Sequence, residues 1–157
     1  MSPASPPLDA SRRKLLAAGA GLAAFVVARP AAATAEEMAA AIKAFTGGAI
    51  PRPGKVTLEV AQLVDNGNSV PLTVRVDSPM TATDHVTAIA IFNERNPQTE
   101  VATFTLGARA GKAEVSTRIR MATSQKLTAV ARLSDGTFWS STAGVIVTLA
   151  ACIEGEG

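Results

Sequence analysis

Few residues in this chain have the chemistry to make or break a bond. The one cysteine, Cys152, stands in "TLAACIEGEG", directly after a run of strand-forming residues. The one histidine, His85, follows Asp84 at the start of a second apolar run. A thiolate attacks, and a histidine beside it takes the proton, so a thiol enzyme would need the two brought together. One Cys and one His are too few soft ligands for a structural zinc, and no calcium loop of EF-hand type is present, so no metal site is expected. Arg109, Arg118, Arg120 and Arg132 form a series of cations. Arg118 and Arg120 lie two apart in a strand-like segment and share a face. Such a pair binds an anion or simply faces solvent. Trp139 beside Phe138 reads as packing, in the core or against a partner.

Cys152 stands apart because its position and its chemistry agree. It follows the last apolar run, "VIVTLAA", and five residues come after it, two of them Gly155 and Gly157. Terminal segments with few apolar side chains are seldom tied down. The three steps from Leu149 to Cys152 span at most about 10 Å. An ordinary thiol, with a pKa near 8.5, is only a few per cent ionised at neutral pH. Glu154 and Glu156 oppose ionisation further. The sequence therefore offers no built-in activation, which favours a passive covalent carrier, activated by another protein, over a catalyst. In an oxidising compartment a lone cysteine is an intermolecular disulfide, a free thiol or a covalently loaded one.

That compartment is suggested by the first residues. "SRRKLLAAGAGLAAFVVARPAAATA" carries the pair Arg12 and Arg13, an apolar stretch and the small-residue site Ala33-Thr34-Ala35. This is the pattern of a twin-arginine export signal over residues 1–35, cleaved after Ala35, with the mature chain in a bacterial periplasm. The apolar stretch, roughly fourteen residues, is short of the ~20 that a membrane-spanning helix needs. Of 15 Lys+Arg and 13 Asp+Glu, the leader holds four and one, leaving 11 and 12 and a net charge of −1. With no basic stripe and few aromatics, neither nucleic acid nor a membrane surface is an expected partner.

The remaining residues must build whatever positions the thiol. "EEMAAAIKAFTGG" (36–48) reads as a short helix, with Glu36 and Glu37 in its first turn and a Met38, Ile42, Phe45 stripe. That stripe packs on the domain or on a partner. From 49 to 149 the pattern becomes period-two: "VTLEVAQLV", "SVPLTVRV", "HVTAIAIF", "EVATFTL", "AEVSTRIRM", "KLTAVARL" and "GVIVTLA". "DNGN" and "SDGT" supply turns, the Asp-Gly pair with the positive φ angles of a tight hairpin. Pro71 points to an edge strand or a strand start. Seven or eight short strands without intervening helices predict an all-β, immunoglobulin-like antiparallel sandwich. The predicted organisation is thus a leader (1–35), a helix (36–48), a sandwich (49–149) and a C-terminal arm (150–157).

The stretches "NGNSVPLTVRVDSPMT" (66–81), "VSTRIRMATSQ" (115–125) and "AVARLSDGTFW" (129–139), together with the C-terminal cysteine, resemble the SoxY family. The resemblance runs from about Glu36 to Cys152. It implies an immunoglobulin-like sandwich paired with a SoxZ subunit as a heterodimer, and no enzymatic activity or resident cofactor of its own. It further implies that Cys152 carries the intermediates of thiosulfate oxidation. SoxAX would join thiosulfate to the sulfur as a cysteine S-thiosulfonate, SoxB would release sulfate, and Sox(CD)2 would oxidise the sulfane left behind. The chain departs from the family pattern at its tail, where "AACIEGEG" replaces the usual terminal GGCGG. Alanines stiffen the arm, and Ile153 and Glu154 add bulk and charge beside the thiol. The alternative is a divergent paralogue, a periplasmic structural or binding subunit without carrier activity.

Overall fold

Helix α1, Ala35–Thr46, begins where the leader was expected to end. Thr34 caps it: its hydroxyl accepts from the Glu37 N–H, and the Glu37 carboxylate accepts from the Thr34 N–H. This reciprocal box satisfies two of the first-turn donors that a helix leaves without partners. Gly47, at φ 64°, closes the other end, and Gly48 donates back to the Lys43 carbonyl. A cut after Ala35 would separate Thr34 from the helix it caps. The computed structural model describes residues 33–149. Arg12, Arg13 and Cys152 lie outside them.

Nine strands follow among the described residues: β1 Arg52–Pro53, β2 Val56–Val60, β3 Leu63–Asn66, β4 Val70–Val76, β5 Val86–Asn93, β6 Glu100–Thr105, β7 Glu114–Ile119, β8 Gln125–Leu133 and β9 Phe138–Leu149. They form two sheets. The larger runs β1-β9-β8-β5-β6, with β3 added on β9; the smaller runs β2-β4-β7. The result is the expected all-β, immunoglobulin-like sandwich. It is antiparallel apart from β1 and β3, which both pair with β9 in parallel.

Two kinds of strand pattern result from two kinds of environment. In β4, Val70, Leu72, Val74 and Val76 face inward while Pro71, Thr73 and Arg75 face out. The small sheet is wet on one side, so its strands alternate. In β5 and β8 both faces are covered. Ile89, Ile91, Leu127, Ala129 and Ala131 face the small sheet, and Ala90, Phe92 and Val130 face α1. Hence "AIAIF" and "AVA" read as continuous apolar runs. Each fully buried aliphatic or phenyl side chain here contributes roughly 1.5–3 kcal/mol.

Helix α1 packs on that outer face. Met38, Ala41, Ile42 and Phe45 are half-buried there with Phe138. Phe45 meets Phe92 and Phe138 edge-on, with both ring centroids at 6.0 Å. The Met38, Ile42, Phe45 stripe is therefore used within the chain, on its own domain.

Three local expectations are corrected. "VTLEVAQLV" is not one strand. Its alternation Val56, Leu58, Val60 slips phase before Leu63, and the chain breaks at Ala61–Gln62, sending β2 to the small sheet and β3 to the large one. The "DNGN" turn consequently links the two sheets instead of closing a hairpin. Pro71, expected at an edge or a strand start, is the second residue of β4, so the strand-start alternative holds while the edge does not, β4 being the central strand of its sheet. Pro71 sits beyond the last β2 partner, at Val60–Leu72, so its missing N–H costs no bond on that side. At the β8–β9 hairpin only Gly136 has positive φ, 82°. Asp135 acts differently, accepting from the Thr137 N–H at 2.9 Å and its hydroxyl at 2.7 Å. Those bonds, the backbone one first, hold its carboxyl below its ordinary pKa, with a lesser contribution from Lys55.

Candidate functional site

Cys152 lies three residues past Leu149, the last described residue, so the described site is the root from which the cysteine departs. That root is firmly held. β3 lies alongside the end of β9 with Leu63 opposite Ile146, Val64 opposite Val147 and Asn66 opposite Leu149. Gly67 donates its N–H to the Leu149 carbonyl at 2.8 Å, and its own carbonyl accepts from Met121 N–H at 2.8 Å. The buried Met121 is thus tied through one residue, Gly67, to the root of the arm. Ser124 adds a second clamp, accepting the Val147 N–H at 2.9 Å. Val147 packs inward on the core, while Leu63, Ile146 and Leu149 are exposed.

A polar network braces this end of the sandwich. The Asn96 carboxamide oxygen accepts from Ala122 N–H at 3.0 Å and from Gln125 Nε2 at 2.8 Å, while its Nδ2 donates to the Arg120 carbonyl at 2.7 Å. Gln125 Oε1 in turn accepts from Arg95 N–H, and the Asn96 carbonyl accepts from Ala33 N–H. The β5–β6 loop, the β7–β8 loop and the entry to α1 are therefore joined around one residue. Asn93 and Gln125 are buried and partnered, as buried amides must be. Sequence reading missed Gly67 and Asn96. Their signals are "NGN", which marks a turn without naming its distant partners, and "NERNPQ", which has turn composition but no periodicity.

His85 belongs to the opposite end. It precedes β5, where Val86 pairs with Leu133, next to the start of β9, where Arg132 pairs with Phe138. From Phe138 to Leu149 the strand runs eleven steps, roughly 35 Å. A three-residue tether of at most about 10 Å cannot close that gap, so His85 and Cys152 make no dyad. The His85 N–H donates to Ser134 Oγ and its carbonyl accepts from the Ser134 N–H, while its Nδ1 has no hydrogen-bond partner among the described residues.

The arginines do not converge. Arg118 is exposed on the outer face of the small sheet, donating to Ser69 Oγ at 3.3 Å, and Arg120 follows it at the strand end. Arg132 is on the outer face of the large sheet, bonded to Thr87 Oγ1, and Arg109 is in an exposed 3-10 turn. Among the described residues the ion pairs are those of Arg75 with Glu59 and Glu114, across the small sheet. Glu114 first, then Glu59, raises the Arg75 pKa. Trp139 is half-buried against the core, with Gly54 under its ring and the Arg52 and Lys55 cations 5.8 and 5.2 Å from its centroid. Among the described residues no three His, Cys, Asp or Glu side chains are grouped to hold a metal ion. No described helix is long and apolar enough to cross a membrane.

The family profile described as sulfur oxidation protein SoxY matches residues 42–152, most of the described fold, and the match ends on the chain's one cysteine. The chain belongs to the SoxY family. Among solved structures, the sulfur carrier protein SoxY from Chlorobium limicola f thiosulfatophilum is 30% identical with a TM-score of 0.61, covering 74% of this chain and 100% of that one. A superoxide reductase (neelaredoxin) from Ignicoccus hospitalis is 11% identical with a TM-score of 0.55, covering 74% and 95%. A putative superoxide reductase from Thermotoga maritima is 19% identical with a TM-score of 0.53, covering 66% and 89%. These two share the fold with this SoxY-family chain. No curated protein sequence matches it.

Proposed function

We propose that this SoxY-family chain is a periplasmic carrier that holds sulfur intermediates of thiosulfate oxidation on Cys152. The observation that carries the reading is the spacing of the thiol: the chain's one cysteine closes the family match, three residues beyond a strand end clamped by β3 and Gly67. A held root and a short tether let a partner enzyme grip the sulfur while the sandwich stays outside its cleft. Carriage for partner enzymes also fits the position of the chain's one histidine, His85, at the opposite end of β9 from Leu149.

The chemistry assigned to Cys152 is simple. The thiol and the outer sulfur of thiosulfate join as a disulfide-type bond, giving a cysteine S-thiosulfonate. The thiol proton is released, and two electrons pass to an acceptor in the joining enzyme, a SoxAX-type protein. Water then displaces the persulfide sulfur from the sulfone sulfur without a change in electron count, releasing sulfate and leaving a cysteine persulfide; a SoxB-type enzyme catalyses this. A Sox(CD)2-type enzyme takes electrons from the remaining sulfane. A SoxZ-like subunit completes the carrier as a heterodimer. Arg12 and Arg13 direct twin-arginine export, with cleavage at Ala35.

Thiosulfate consumption by the reconstituted enzymes, with wild-type carrier or Cys152→Ser, tests the reading. Consumption is expected to stop with the serine variant. Unchanged consumption would support the competing role, a structural or binding subunit whose altered tail "AACIEGEG" no longer carries sulfur.

A further inference from the structure

Four large apolar side chains are strongly exposed among the described residues, and three of them belong to one ladder, with Leu149 on the opposite face from Ile146. Leu63, Ile146 and Leu149, 60%, 60% and 68% exposed, all belong to the short β3–β9 ladder. The fourth, Ile50, precedes β1 at the other end of β9. Leu63 and Ile146 are register partners in a parallel pair, so their side chains stand side by side on the outer face of the large sheet. Among the described residues α1 covers β5, β8 and Phe138, and it leaves this part of the face exposed. On the same face lies Gly144, with nothing within 4 Å of where a Cβ would stand, so the surface beside Ile146 is open. Gly144 and Ile146 form one wall of a shallow groove that Gln62, Glu94, Arg95 and Lys126 also line. An apolar centre with a rim of mixed charge is the composition of a transient docking surface.

The tether identifies the occupant. Cys152 can stand no more than about 10 Å from Leu149. An enzyme whose cleft takes up that sulfur must therefore bring its entrance to within that distance of the β3–β9 ladder. Ile146 lies three residues behind Leu149, about 10 Å along the strand in the other direction. The lip of the entrance and the Leu63–Ile146 pair are thus held together by the length of the arm. We infer that Leu63 and Ile146 form the docking patch for the enzyme that loads Cys152, seating an apolar lip of its cleft entrance. This rests on the carrier reading above. It assigns substrate recognition to the sandwich, so that the arm supplies the sulfur and the ladder supplies most of the affinity.

The test measures initial rates of adduct formation on Cys152, by peptide mass, with thiosulfate and a SoxAX-type enzyme as carrier concentration is varied. The carrier is used as the full complex with its SoxZ-like subunit. Leu63→Glu and Ile146→Glu are compared with Ile50→Glu, the same change at a still more exposed apolar residue at the far end. The two patch variants are expected to lose about tenfold in kcat/KM, through KM, with kcat retained. Ile50→Glu should match wild type. Alkylation of Cys152 by iodoacetamide should proceed equally in all four proteins, which shows the thiol itself unaltered. Wild-type rates in both patch variants would overturn the inference while leaving carriage intact. Release of the SoxZ-like subunit by either variant would assign the patch to the heterodimer instead, and overturn it too. Failure of the wild-type chain to take up any adduct would remove the carrier reading and this inference together.

Discussion

Gly67 donates its backbone N–H to the carbonyl of Leu149 at 2.8 Å, making a loop between the two sheets the last anchor before the cysteine. A held root is what distinguishes a tethered sulfur from a frayed terminus. Gly67→Pro removes that donor and is expected to cost roughly 1–3 kcal/mol. Limited proteolysis with mass readout should then cut faster within β9 after Val145. Unchanged protection there would mean that β3 pairing alone holds the strand end.

Phe45 lies edge-on to both Phe92 and Phe138 and fixes α1 to the outer face of the large sheet. Phe45→Ala should destabilise the protein by about 2 kcal/mol, below the full value for a buried phenyl because the ring is only half-buried. Thermal unfolding should show a Tm several degrees lower. Lys43→Ala, on the exposed side of the same helix, should leave Tm within a degree or so.

Asn96 makes three side-chain bonds to Ala122, Gln125 and Arg120, besides accepting at its carbonyl from Ala33. Asn96→Ala leaves those partners unsatisfied, at an expected cost of about 2 kcal/mol in urea unfolding. Asn96→Asp keeps the acceptor and loses the donor to Arg120, so it should cost less. Equal costs for the two variants would mean that the Arg120 bond is the one that matters.

How far the sequence could be read depends on which forces are local. Alternation in "SVPLTVRV" and the apolar run in "AIAIF" reflect the environment of each strand directly, and both were legible. The SoxY resemblance was legible in the same stretches. What was hidden depended on distant partners. Ser140–Ala143 are small or polar, so the first half of β9 was missed; β8 makes it a strand through pairs such as Thr128–Thr142. The split between β2 and β3 was visible only as a phase slip, since nothing near Gln62 says that Leu63 will join β9 in parallel. Cys152 was found from its solitude and position. The clamp beneath it, from Gly67 and Ser124, joins residues tens of positions apart and leaves no periodic trace.

The Asp135 carboxyl, held below its ordinary 3.8 by the Thr137 backbone and hydroxyl bonds, links stability to acid pH. Because the folded value is the lower one, the ionised group favours the folded state above the ordinary value, and this is lost as pH falls through the folded value. The Tm difference between wild type and Asp135→Asn should therefore be constant from pH 7 to about 5 and close below about 4. A gap that persists unchanged into stronger acid would mean that Thr137 bonds the neutral amide equally well.

The most direct test of sulfur carriage is the mass of the C-terminal peptide containing Cys152, after the complex has been incubated with thiosulfate and a SoxAX-type enzyme under non-reducing conditions. Sulfur carriage predicts a mass increase equal to one thiosulfonate on Cys152, removed by reductant, and its conversion to a persulfide on adding a SoxB-type enzyme. An unmodified Cys152 peptide alongside continued thiosulfate consumption would contradict it.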